Sequence, residues 1–132
     1  MGDIDYLAVV LGAAAFFLVG MLWYGALFGK AWQKELWPDG TPVSTRSPVV
    51  LFGLCFLAEL VIAWMFGHML ARIQPPSHVI WMMAGGFGAT IMAPAIGINY
   101  LFQQRSLKLF LIDAGHAVFG ALAMGAVFVL RA

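Results

Sequence analysis

Two long apolar runs, about residues 78–103 and 107–130, are separated only by a short polar stretch around Gln104-Arg105-Ser106. Each exceeds the roughly 20 residues a helix needs to cross hydrocarbon. A link of so few residues can join two such helices only as an antiparallel hairpin. Two further runs precede them, about residues 4–28 and 48–71. The chain is 63% hydrophobic and 10% charged with a mean hydropathy of +0.93, whereas an average soluble domain is about a quarter charged. A chain of 132 residues cannot hide that much apolar surface inside one water-soluble core. The pattern predicts one integral membrane domain over residues 1–132, all-α, a four-helix transmembrane bundle made of two antiparallel helical hairpins.

The first run follows Asp3 and Asp5, has no basic leader and outlasts the ~7–15 residues of a signal-peptide core, so it reads as a retained helix. It closes on Trp23, Tyr24, Phe28, Lys30 and Trp32, the aromatic and basic anchors of a membrane interface. Beyond it, Trp32, Leu36 and Trp37 can share one face of a short interfacial helix whose Lys30 and Lys34 look to water. Pro38-Asp39-Gly40 reads as a turn, and Ser47-Pro48 as the start of the next helix. Arg72 and Pro75-Pro76 end that helix, and Ser77 is placed to cap the third. Lys30, Lys34, Arg46, Arg105 and Lys108 fall on one side of the expected topology, against Arg72 and Arg131 on the other. The excess predicts cytoplasmic basic loops and both termini outside. A formal charge of +1 offers no electrostatic footprint for nucleic acid.

Small residues mark where helices can approach closely. Gly25 and Gly29 form one GxxxG; Gly85, Ala89, Ala93 and Gly97 keep strict four-residue spacing; Ala117, Ala121 and Gly125 continue the pattern in the last run. The last two stripes are expected to face each other, with a kink at Pro94. A fainter echo links the ends of the first and third runs, Trp23-Tyr24…Leu27-Phe28 and Asn99-Tyr100-Leu101-Phe102, as two related hairpins would.

Five polar residues fall at membrane depth: Tyr24, Glu59, Asn99, Asp113 and His116. Glu59 lies on the order of 17 Å along its helix, near the midplane. A carboxylate in hydrocarbon costs at least ~2.5–3.5 kcal/mol, so Glu59 and Asp113 must turn inward, pair or protonate. His116 is the expected partner of Glu59, and Asn99 or Tyr24 that of Asp113. The plainest reading is a polar clip between helices. A proton or cation path, then a metal site, follow it, and no HExxH or ExxH spacing supports the last. At the other face Met65, His68, Met69, His78, Met82 and Met83 form a soft set suited to Cu(I), although methionine is first of all a filler of apolar gaps. No cofactor is expected. Cys55 is the single cysteine and has no histidine near it in sequence. Gly85-Gly86-Phe87-Gly88 has no accompanying Lys and reads as helix packing, not as a phosphate loop. A membrane enzyme is therefore the least favoured class.

Trp23-Tyr24-Gly25, Leu27-Phe28-Gly29-Lys30 with Trp32, Asn99-Tyr100-Leu101-Phe102 and Lys108-Leu109-Phe110-Leu111-Ile112-Asp113-Ala114-Gly115 together resemble the signature of the domain of unknown function 1761 family. The resemblance covers nearly the whole chain. It implies a small four-span protein of the bacterial cytoplasmic (inner) membrane, and no established activity, substrate or cofactor comes with it. Two departures stand out: Ala26, where the family often has Pro, and His116, where it often has Tyr. Partners are expected to be the lipid bilayer and either a second copy or another membrane protein. The leading function is a transport or binding protein whose cytoplasm-facing polar pocket handles protons, cations or a small ligand. The rival is a structural or assembly subunit docking through its small-residue faces.

Overall fold

The computed structural model describes residues 2–40 and 46–132; the part of the first connection at 41–45 lies outside the described residues. Among the described residues five helices follow one another: α1 (Tyr6–Leu27), α2 (Gly29–Leu36), α3 (Pro48–Ile73), α4 (Ser77–Gln103) and α5 (Leu107–Arg131). All but α2 are long and apolar enough to cross a membrane. Asp5 caps α1 by accepting the Ala8 N–H at 3.1 Å, and Ser106 caps α5 by accepting the Leu109 N–H at 3.1 Å. Ser47 precedes Pro48 but makes no side-chain cap bond. Ser77, expected as a cap, is instead the first helical residue, because extended Pro76 already occupies the cap position. Gln104 takes a left-handed conformation (φ 56°) and turns α4 into α5.

The packing order is α3, α1, α5, α4, so α5 lies between α1 and α4, and each sequential hairpin packs on itself. Phe66 of α3 and Phe87 of α4 close the remaining side, ring centroids 5.2 Å apart. The core gathers Phe16, Phe66, Met124 and Phe128 with alanines from the long helices. The outer surface is the reverse of a soluble protein's, with Val49, Leu101, Phe102 and Leu130 each at least 80% exposed. Among lipid tails burial gives helices little reason to associate, so close backbone approach and polar bonds must hold them.

Between α1 and α5 that approach is made by rings seated on glycines. The Phe16 ring covers Gly120, and a Cβ added to Gly115 would come 2.7 Å from the Trp23 indole. Gly12 opposes Met124 and Phe128, while Gly20 opposes His116. The small-residue stripes of the sequence contain none of these glycines; Gly125, which they do contain, instead faces Ala84 of α4.

Between α4 and α5 the expected register is half right, and the reason is a π turn at Phe87–Met92. A π turn bonds residue i to i+5 and takes up an extra residue. The face toward α5 therefore runs through Ala84, Gly88, Ala93 and Gly97. Gly88 is the tightest point, since a Cβ there would meet Val118 Cα at 2.6 Å and the Ala117 carbonyl oxygen at 2.9 Å. Gly85 only touches the Leu122 side chain and Ala89 is exposed, so those two positions leave the predicted stripe. Ala117, Ala121 and Gly125 are buried on α5. The disturbance expected at Pro94 takes the form of this π turn, which ends two residues before it. Pro has no N–H to give, and its ring excludes a regular preceding turn.

A second π turn, Leu22–Leu27, ends α1. Here too the GxxxG expectation is corrected: Gly25 is exposed with nothing near its missing Cβ, and Gly29 is buried by its own chain. A side chain at Gly29 would strike the Tyr24 carbonyl, so this glycine shapes the corner into α2 and docks no helix. Across that corner, Trp32 packs against Tyr24 and Trp37 at 5.3 and 5.6 Å, while Lys30 and Lys34 are exposed. Ser106 donates to Glu35 Oε2 at 2.8 Å and ties α2 to the α4–α5 turn. At the opposite end Arg131 pairs with Asp5 at 2.9 Å, and the Gly2 N–H donates to the Ala71 carbonyl at 2.9 Å.

Candidate functional site

Asp113 is 8% exposed and lies on the inner side of α5. The Tyr24 hydroxyl donates to its Oδ1 and the Tyr100 hydroxyl to its Oδ2. One carboxylate thus joins α1, α4 and α5. Hydrogen bonds to a charged acceptor are the strong kind, and two of them replace much of the hydration this group loses. Beside it the Trp23 indole N–H donates to the Ile112 carbonyl at 2.8 Å, adding a second α1–α5 bond.

Asn99, expected with Asp113, is exposed on the outer side of α4 and takes no part. Its neighbour Tyr100 does the work instead. Consecutive helical residues point about 100° apart, so only one of the two can face inward. Asn99 also sits one turn from the end of α4, where the polar interface can hydrate it. Tyr100 stood inside a quoted motif, and its paired spacing with Tyr24 in the two-run echo was the signal that could have found it.

Glu59 and His116 stand otherwise. Glu59 is 9% exposed, and its Oε2 is buried with no hydrogen-bond partner among the described residues; His116 Nε2 is in the same condition. The expected Glu59–His116 bond is not made. Both side chains instead line one cavity of about 230 Å³ between α1, α3 and α5, together with Phe17, Tyr24, Phe52 and Cys55. His116 is held in place by edge-on rings, Phe16 at 5.4 Å and Tyr24 at 5.0 Å. Gly20 leaves it room, since a Cβ there would sit 3.0 Å from Nε2. Cys55, without a histidine near it in sequence, shares the cavity with one in space, and it is exposed at the cavity's edge. Tyr24 belongs to both assemblies: its hydroxyl serves Asp113 and its ring faces the cavity. Tyr100 borders a second hollow of about 340 Å³ at the α4–α5 turn, beside Arg105 and Phe110.

Met65, Met82 and His78 are exposed, Met83 packs on the core, and His68 stacks on Trp64 at 5.9 Å. Among the described residues no group of three or more His, Cys, Asp or Glu is placed to hold a metal ion.

Fold and site together define a small helical protein with four membrane-length helices, a carboxylate clasp and a polar-ended apolar cavity. Over residues 7–129 the chain matches the family described as protein of unknown function (DUF1761), and it belongs to that family. No curated protein and no solved structure matches it. The motifs that carry the family resemblance supply the clasp, through Trp23, Tyr24, Tyr100, Ile112, Asp113 and Gly115. Glu59 and Cys55 lie outside those motifs.

Proposed function

We propose that this chain is an integral protein of the bacterial inner membrane that binds a small ligand, largely apolar with a hydrogen-bonding head, in the Glu59–His116 cavity. One observation carries the reading: Glu59 and His116, on different helices, line the same cavity, and each keeps a buried polar atom, Oε2 and Nε2, without a partner among the described residues. Unpaired buried polar groups cost about 1–3 kcal/mol each, and a cost of that kind persists where something else completes the site. A mostly apolar hollow with a few convergent polar groups is the usual form of a small-molecule site. At about 230 Å³ it suits a small ligand.

The charge distribution supports cytoplasmic placement of the end carrying α2 and the α4–α5 turn, which the Ser106–Glu35 bond brings together with Lys30, Lys34, Arg105 and Lys108. The cavity then opens in the cytoplasmic half. The docking-subunit reading loses its main support, because Ala84, Gly88, Ala93 and Gly97 are already used against α5 inside the chain. A thermal-shift screen of small amphiphiles in detergent tests the proposal. Compounds that stabilise the wild type should fail to stabilise Gly25→Phe, which fills the cavity mouth where no atom stands near the missing Cβ. Equal shifts in both proteins would remove the cavity as the binding place.

A further inference from the structure

Resting on that cavity reading, we propose that the ligand is an organic ammonium ion, a protonated amine on a compact apolar or aromatic body. The groups lining the cavity select for it. Glu59 lines the space with one carboxyl oxygen that has no partner, and no Lys or Arg lines it among the described residues. His116 lines it too, and with its proton on Nδ1 the ring would hold Nε2 as a second acceptor. An ammonium group carries up to three N–H donors and no acceptor, so it can donate to both residues, and its charge favours the carboxylate form of Glu59. The Phe17, Phe52 and Tyr24 rings around these acceptors add faces that attract a cation and shelter its body.

Other classes fit worse. A carboxylate or phosphate would set its charge against Glu59. A quaternary ammonium has no N–H for His116. A neutral alcohol has one O–H to donate, so it bonds one acceptor and brings no charge to Glu59. A metal ion would need a third donor, and none completes the set among the described residues.

Cys55, the single cysteine, borders the cavity and reports on its occupancy. The experiment measures the rate of Cys55 alkylation by N-ethylmaleimide in the full chain in lipid nanodiscs at neutral pH. Three probes of one shape are compared: phenethylammonium, phenethyl alcohol and hydrocinnamate. Phenethylammonium should protect Cys55 at about tenfold lower concentration than the alcohol, the worth of one charge-assisted bond. Hydrocinnamate should protect least. In Glu59→Gln the ammonium and the alcohol should become equivalent, and in Gly25→Phe no probe should slow the reaction further. Equal protection by ammonium and alcohol in the wild type, or a preference for hydrocinnamate, overturns the ammonium assignment and leaves the cavity standing. Absence of protection by all three overturns the cavity reading together with it. The wild-type probe series decides the charge class even if the Glu59 variant folds poorly.

Discussion

Asp113 and Glu59 are the same functional group at nearly the same burial, 8% and 9% exposed, on helices of one small bundle. Their surroundings differ completely. Asp113 has a tyrosine hydroxyl on each oxygen and no cavity of its own. Glu59 has a bare oxygen and a cavity in front of it. Sequence treats the two alike, as intramembrane carboxylates that must turn inward. The comparison teaches that turning inward is only half of the requirement. What completes the coordination decides whether the group fastens the fold or remains open for a ligand.

Four measurements sharpen or break the contrast. Asp113→Ala should have the largest effect, because it removes the acceptor of two hydroxyls and unlinks α1, α4 and α5. A loss of about 3 kcal/mol in unfolding free energy is expected, read from detergent–SDS titration. A loss no greater than that of Glu59→Ala would erase the distinction. Tyr100→Phe should cost about 1–2 kcal/mol by the same titration. It leaves Oδ2 of Asp113 unbonded and turns the clasp into a half-open group resembling Glu59.

Glu59→Gln should change stability by less than about 1 kcal/mol, with either sign, since an amide of the same shape replaces a carboxyl group whose Oε2 has no partner among the described residues. A loss matching that of Asp113→Ala would mean Glu59 is a fastener too. The smallest effect belongs to a third carboxylate, Asp5, on the surface. Its pKa lies below the ordinary carboxylate value because it accepts from the Arg131 guanidinium, with the Ala8 N–H as a further donor. With the folded pKa depressed, the stabilisation is complete above the unfolded value near pH 4 and disappears as pH falls through the lower folded one. A carbon-13 titration of the Asp5 carboxyl should show that lowered value, and Arg131→Gln should move it upward. An unmoved titration would leave the pair without energetic weight, as many surface pairs are.

Much of the architecture was legible because it follows from solvent and chain length. Four apolar runs of helical length and a link as short as Gln104–Ser106 admit few arrangements. The amphipathic stretch Trp32, Leu36 and Trp37 gave α2 in the same way. The site was legible by depth and not by partner. Polarity at depth points to Tyr24 and Asn99 as partners of Asp113, but the rotation of α4 brings the Tyr100 hydroxyl to it and leaves Asn99 exposed. The small-residue stripe of α4 has an α-helical period in the sequence, and the π turn shifts its first half by one residue to Ala84 and Gly88.

By itself the sequence determined that the chain must form long helices suited to lipid, hairpinned in order, with Glu59 and Asp113 kept from the outer surface. Composition and segment length set these, and both are properties of the chain alone. Only the tertiary structure decided that Tyr100 closes Asp113, that Trp23 and Phe16 rest on glycines of α5, and that Cys55, Glu59 and His116 border one space. Those facts depend on rotations of whole helices about their axes. A single π turn changes such a rotation by about 100°, and no local sequence rule fixes it.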